Sequence, residues 1–485
     1  LPAFSNLIVD EAHQLDSAIT SGLTVRIDEV GLQRRIQELS RPSNSLLSGL
    51  LHILSSHLPE RELERLNSFV TTIRAATGPM ESHTKHFFGV LREFYLALER
   101  ESNGDYLPTI RLTPALREKV SFAPLRESYQ TLGEFFEVVG SKLDQLATYL
   151  HKHEARNIPN FDHLLNGTRA ISRFLKETES HLSKAMLAPA PDTIYWLSAG
   201  QNNSNMAAGQ NNSNMAVHVA PLEPGQRLNE KLWNSMRSVI LTSATLTVER
   251  SFEFLQQRLH ADSFETTELG SPFDYKQSTL IYIPEKFPEP NERQAYQQAL
   301  EKGIIELAAA LNGRVMVLFT SYAQLQQTSQ AITPRLALGN IAVYDQLDNS
   351  NRDGLMNGFK KDERAVLLGT RSFWEGVDIP GESLSALVIT RLPFAVPNEP
   401  IFAARSEQYG DPFKEYSVPD AILRFRQGFG RLIRTRTDRG IVAIFDNRVL
   451  SKAYGRQFLA SLPDCTVQKG RIENLPAAAV AWLQR

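Results

Sequence analysis

A chain of 485 residues with 42% hydrophobic and 22% charged side chains has the composition of an ordinary globular protein with room for two or three domains. Its net charge of −2 gives no global argument for a nucleic-acid partner. No apolar run is long enough to cross a bilayer, no signal peptide is apparent, and the single cysteine, Cys465, excludes a disulfide framework and any multi-cysteine metal or iron–sulfur site within these residues. That cysteine usage fits a reducing, cytoplasmic setting.

The first predicted element is a strand, Leu7-Ile8-Val9, running directly into Asp10-Glu11-Ala12-His13. Carboxylates at the end of a buried strand can hold magnesium through water and polarise an attacking water. Alone, these residues are read equally well as a strand-to-turn accident. From about 20 to 185 the stretches "VGLQRRIQEL", "ELERLNSFVTTI", "HFFGVLREFYLALE" and "YQTLGEFFEVVGSKLDQLATYL" repeat the i, i+3, i+4, i+7 pattern of amphipathic helices. Pro42, Pro108, Pro124 and Pro159 punctuate them, and a mostly helical domain is expected. His151 and His153 fall on different faces of such a helix and read as solvated positions, not metal ligands. "GQNNSNMA" then occurs at 200–207 and again at 209–216, an Asn- and Ser-rich duplication expected at an exposed loop or hairpin tip.

"SVILTSATLT" follows, a strand ending in small hydroxyl residues that include Ser243 and Thr245. Beyond about 270 the texture becomes βα: "STLIYIP", "GRVMVLFTS", "IAVYD", "RAVLLGT", "SALVITRLP" and "GIVAIFD" are short apolar runs separated by helix-length segments, the pattern of a buried parallel sheet. A helical domain inserted within an α/β domain explains two strands flanking the helical region. In "GTRSFWEGVDIPG", Gly376 can admit a ligand close to the backbone and Asp378 can accept a ribose hydroxyl. Phe373 or Trp374 can pack the core or stack on a base, with core packing expected for at least one. In "QGFGRLIRTRTDRG", Gln427, Arg431 and Arg434 recur at spacings of four and three and are expected on one helical face, where two guanidinium groups suit a phosphate whose charge is shifting. On charge alone, the cluster of Arg424, Arg426, Arg431, Arg434, Arg436 and Arg439 reads as a solvated face.

Taken in order, these stretches resemble the superfamily 2 helicases of the DinG/XPD-like branch. "DEAH" is similar to motif II, "SATLT" to motif III, "FTSY" (319–322) to motif IV, "SFWEGVDIPG" to motif V and "QGFGRLIR" to motif VI. The resemblance covers nearly the whole chain. It implies an α/β fold of two RecA-like parallel-sheet domains, the first incomplete, with a mostly helical arch-like domain inserted between motifs II and III. The implied division is 1–20 with 186–265 for the first RecA-like domain, 21–185 for the insertion and 266–485 for the second. The resemblance further implies ATP and Mg²⁺ as cofactors, Asp10 holding Mg²⁺ through water, Glu11 as general base, and His13 coupling the site to Ser243 and Thr245. Gln427, Arg431 and Arg434 would reach the nucleotide from the second domain, beside Gly376 and Asp378. Ser321, Thr370, Phe373 and Trp374 would touch DNA. Single-stranded or forked DNA is the implied partner, with no membrane, and translocation in the 5′-to-3′ direction in repair or replication.

The sequence departs from that family at one place: no Gly-Lys-Ser/Thr phosphate-binding loop occurs in it. In the family that loop precedes motif II, so these residues are expected to be the C-terminal portion of a longer helicase. Whether the longer protein carries an iron–sulfur domain or an exonuclease domain is not legible here. The competing expectation, and the one that applies to these residues in isolation because the phosphate loop is missing, is an ATPase-inactive nucleic-acid-binding or regulatory module. Intact Glu11, Arg431 and Arg434 weigh against it for the longer protein.

Overall fold

The computed structural model describes residues 4–484 apart from 42–44, 102–108, 153–157, 159, 201–213, 347–351, 375–378 and 380–382. Gly376, Asp378, His153 and most of the duplication therefore lie outside the described residues. The strands, in chain order, are β1 (Asn6–Val9), β2 (Val25–Asp28), β3 (Thr109–Arg111), β4 (Thr193–Gly200), β5 (Asn214–Pro221), β6 (Ser238–Leu241), β7 (Thr279–Pro284), β8 (Val315–Leu318), β9 (Ala342–Asp345), β10 (Ala365–Gly369), β11 (Ala386–Ile389), β12 (Gly440–Ile444) and β13 (Thr466–Gly470). Contacts divide the chain into two units: Leu1–Asp16, Pro224–Pro397 and Ser406–Arg485 form one, and Ser17–Glu223 with Asn398–Arg405 the other.

In the first unit, seven strands form a sheet in the order β13-β7-β12-β11-β8-β10-β9, with every pair parallel. The six runs expected as strands beyond residue 270 are β7 to β12. The period of two in each strand sends alternate residues to opposite faces. Ile281, Met316, Leu318, Leu367, Leu387 and Val442 pack on one side, and Leu280, Val317, Val366, Val388 and Ile441 on the other. Burial on both faces explains why these strands read as unbroken apolar runs. A second, two-stranded parallel sheet pairs β1 with β6 in register from Asn6 opposite Ser238 to Val9 opposite Leu241. Its register partners Ile8 and Ile240 are 69% and 52% exposed.

The other unit is mainly helical, with long helices at Glu60–Glu101, Ala123–His151 and Phe161–Met186 around one apolar core. The first joins two stretches expected as separate helices and carries Pro79 in its interior. The unit also holds an antiparallel sheet in the order β2-β5-β4-β3, which helical periodicity did not disclose. By contact, residues 186–223 group with the helical unit. Strands β4 and β5, taken from the sequence as part of the first α/β domain, hydrogen-bond to β2 and β3. Register partners Gly200 and Asn214 bracket the undescribed part of the duplication. The expected α/β fold with parallel sheets and a helical insertion is borne out.

Candidate functional site

Asp10 and Glu11 leave the end of β1 in a turn fastened to the end of β6. Thr242 N–H donates to Val9 O at 2.9 Å, and Ala12 N–H donates to Thr242 O at 3.0 Å. This brings Ser243, 230 positions from His13, into the turn. His13 Nδ1 lies 2.7 Å from Ser243 Oγ, Ser243 Oγ donates to Glu11 Oε2 at 3.1 Å, and Thr245 N–H donates to Ser243 Oγ at 3.2 Å. With its single proton given to Glu11, Ser243 accepts from His13, which places a hydrogen on Nδ1. His13 is nearly buried (4% exposed side chain) whereas Glu11 is 60% exposed. A buried imidazole and a serine thus aim an open carboxylate. Glu11 itself sits in the left-handed region, at φ 51° and ψ 42°. Asp10 is exposed, and its Oδ1 accepts Glu11 N–H at 2.9 Å. The structure therefore assembles Asp10, Glu11, His13, Ser243 and Thr245 from two segments far apart in sequence.

The arginine-rich segment requires a correction. Gln427 is buried on the helix Val418–Phe429, but that helix ends at Phe429, with Gly430 as its C-cap, so Arg431 and Arg434 do not continue its face. Two glycines, 428 and 430, weaken the helix there. The following turn is organised around Asp438, whose Oδ2 accepts the N–H groups of Arg434 and Thr435, each at 2.8 Å. Partial burial would raise the Asp438 pKa, yet the Thr435 hydroxyl and these two N–H groups hold the carboxyl below its ordinary range. Arg431 Nε donates to the carbonyls of Trp374 and Gln427, both at 3.2 Å. The Arg434 side chain is exposed. Among the described residues, no hydrogen bond or ion pair joins Asp10 or Glu11 to Gln427, Arg431 or Arg434.

The aromatic expectation also needs correction. Phe373 and Trp374 are both buried, packed with Met316, Leu318 and Phe425, and Trp374 Nε1 donates to Phe319 O at 3.1 Å. Neither ring offers a face to a base. Gly428 is required beneath them: a Cβ there would come within 2.6 Å of the Trp374 ring. Ser321 and Thr370 do lie at the C-terminal ends of strands, β8 and β10, where parallel sheets bind ligands. Ser321 caps the helix Tyr322–Leu338, and Thr370 donates through N–H and hydroxyl to Gln346 Oε1 at 3.0 and 2.6 Å. Gln346 also donates to Ser372 Oγ at 2.8 Å, and its carbonyl accepts the Tyr322 hydroxyl at 2.9 Å.

Sequence reasoning passed over Arg426, read as part of a solvated cluster. Its guanidinium instead donates to Thr247, at the carbonyl and at Oγ1 (2.7 Å), and approaches Ala244 O at 3.5 Å. Burial lowers its pKa. The helix that carries Gln427 is thereby fastened to the segment that carries Ser243 and Thr245. A partner 179 positions away leaves no local signature.

Residues 304–465 match the family of helicase C-terminal domains. The chain is 28% identical to the "3'-5' exonuclease DinG" of Bacillus subtilis over 98% of its own length and 51% of that protein. It is 36% identical to the "ATP-dependent DNA helicase YoaA" of Haemophilus influenzae over 51% of this chain and 39% of that one. A solved XPD helicase structure superposes with a TM-score of 0.49 at 14% identity, covering 96% of this chain and 68% of the other. The chain thus spans about half, or less, of the length of these curated relatives. The resemblance to DinG-type helicases read from the motifs is borne out by these curated relatives.

Proposed function

We propose that this chain is the motor portion of an ATP-dependent DNA helicase, in which Glu11 is the general base for ATP hydrolysis. The observation that carries the reading is the hydrogen-bonded set Glu11–Ser243–His13. It joins two segments more than two hundred residues apart on an otherwise solvent-facing carboxylate, as a positioned base requires. Asp10 suits a hydrated Mg²⁺, which needs few protein ligands: its carboxylate is exposed and one of its oxygens is committed to a backbone N–H. When bound, that ion would neutralise phosphate charge. Ser243 fixes the direction of the Glu11 carboxylate, and His13 holds Ser243. Arg431 and Arg434 stand on a turn after the helix, a place from which guanidinium groups can meet a phosphate. Gln427, Gly376 and Asp378 complete the nucleotide side in this reading, and Ser321 and Thr370 face the DNA backbone.

In this reading, residues 1–20 and 186–265 belong to the first motor domain, 21–185 to the insertion and 266–485 to the second motor domain. The substrate is single-stranded or forked DNA, translocated 5′ to 3′ in repair or replication within the cytoplasm. No described helix is long and apolar enough to cross a membrane. Any iron–sulfur cluster would have to be held by residues other than these, since Cys465 is alone and burial pushes its thiol up to about 12.

The test is single-strand-stimulated ATP hydrolysis by the full-length protein. Glu11→Gln should reduce turnover by at least about a hundredfold. Persistent turnover in that variant would remove Glu11 from the role. The name of the Bacillus relative, matched along nearly the whole chain, favours a second reading: a nucleic-acid-binding module that serves another activity without hydrolysing ATP. Single-strand binding by the wild-type protein with no ATP turnover would establish that reading instead.

A further inference from the structure

The geometry points to Arg258 as a positioning residue that ties the turn bearing Asp10 and Glu11 to the helix bearing Gln427. The inference rests on the reading above, in which both elements serve one ATP-hydrolysing site. Arg258 lies on the helix Glu253–Leu259, outside every motif named so far. One end of its guanidinium donates to the carboxylate of Asp16, and the other donates to Asp420 Oδ1 at 3.2 Å. The rings of Phe254 and Tyr416 each lie 5.4 Å from its central carbon. Asp16 and Asp420 are both buried, and the Arg258 side chain is 15% exposed. Burial by itself lowers the pKa of this guanidinium, but Asp16 and Asp420 outweigh it and hold the group above its ordinary range, so it stays charged. Arg424 forms an ion pair with Asp420 Oδ2 at 2.9 Å, so the group contains two carboxylates and two guanidinium ions.

The two carboxylates are placed where a tether is informative. Asp16 stands three residues beyond His13, in the first turn of the helix Leu15–Leu23. Asp420 stands seven residues before Gln427 on the helix Val418–Phe429, hence on the same face two turns away. One planar group with fixed donor directions therefore sets the separation between the element that aims Glu11 and the element that carries Gln427. The bland alternative is a buried ion pair that contributes only stability. Buried pairs are poor at that task, because well-packed apolar residues usually serve as well or better, whereas a forked cation gives a defined register. An independent observation supports positioning: six residues beyond Asp420, Arg426 grips Thr247 and Ala244, next to Ser243. The same helix is thus held at two points, one to each segment of the Glu11–Ser243–His13 set.

The experiment compares Arg258→Met with Arg258→Lys in the full-length protein, measuring kcat and KM for ATP under saturating single-stranded DNA, DNA affinity, and the folded fraction. Arg258→Met fills the space without charge. It should lower kcat about tenfold or more while KM for ATP and DNA affinity stay within about threefold. Arg258→Lys keeps the charge without the fork and should recover little of that loss. An unchanged kcat in Arg258→Met, recovery of the wild-type kcat in Arg258→Lys, or a loss proportional to the unfolded fraction would overturn the proposal. If Arg258→Met does not fold, Asp420→Asn supplies the same comparison: a kcat-only loss upholds the tether and an unchanged kcat removes it. Absence of turnover in the wild-type protein would overturn the helicase reading, and the positioning role with it, and is distinguished by appearing without any substitution.

Discussion

Among the described residues the two units bury different charges, carboxylates in the α/β unit and guanidinium groups in the helical unit. In the helical unit Arg117 donates to the carbonyls of Leu112 and Ala185, while the hydroxyls of Thr84 and Thr168 turn back on their own helix, to Met80 O and Leu164 O, both at 2.8 Å. Such hydroxyl bonds satisfy the donor and join nothing else. In the α/β unit the buried carboxylates Asp16, Asp420 and Asp446 bond to groups on other elements. Asp446, fully buried at the end of β12, accepts Leu392 N–H at 2.8 Å and receives two donors of Arg448. Arg258 and Arg426 behave likewise. A fold can hide hydroxyls anywhere along a helix, but it hides charge only where orientation is worth the desolvation.

The contrast can be broken by substitution. Asp446→Ala should have the largest effect, about 3–5 kcal/mol, because it leaves the partly buried Arg448 guanidinium and the buried Leu392 N–H without their acceptor. Urea unfolding would measure it, and a loss below about 1 kcal/mol would show that these charges link nothing. Gly428→Ala drives a methyl into the Trp374 ring and should destabilise the α/β unit by up to about 3 kcal/mol, visible as quenching or shift of tryptophan fluorescence before global unfolding. In the helical unit His218 is stacked on Trp196 at 4.8 Å and hydrogen-bonded to Ser198 Oγ. Burial, assisted by the charge of Arg26, pushes its imidazole down to about 4. The unfolded chain then binds the extra proton first, so stability present above pH 6.5 is lost as pH falls from about 6.5 towards 4, by about 2 kcal/mol. His218→Gln should flatten that dependence, and a slope unchanged by the substitution would assign it elsewhere. Thr84→Val should alter stability by less than about 1 kcal/mol, since a hydroxyl bonded to its own helix joins no second element.

Legibility in the sequence followed the same division. Strands β7 to β12 could be read directly because burial on both faces leaves unbroken apolar runs. β13, with the polar sequence TVQKG at the sheet edge, could not. The sheet of the helical unit escaped because its two short strands, β2 and β3, are embedded among helical repeats, and β4 and β5 precede and follow a low-complexity stretch. The acidic turn and its serine were legible as separate motifs, and their meeting was supplied by the pairing of β1 with β6. The helical spacing of Gln427, Arg431 and Arg434 misled because counting continued past two glycines that end the helix. Phe373 and Trp374 misled because a sequence does not say which side of a strand end a ring will occupy. Arg258 and Arg426 had no signature at all, since their partners lie between 162 and 242 positions away.

The left-handed backbone of Glu11 has a consequence for how this chain can be improved. A β-carbon in that conformation costs roughly 1–2 kcal/mol, a strain set against the contacts of the Glu11 carboxylate with Ser243 and His13. Replacing it with glycine should relieve that strain and, on the proposed role, silence turnover, so a screen for thermal tolerance alone would not see the loss.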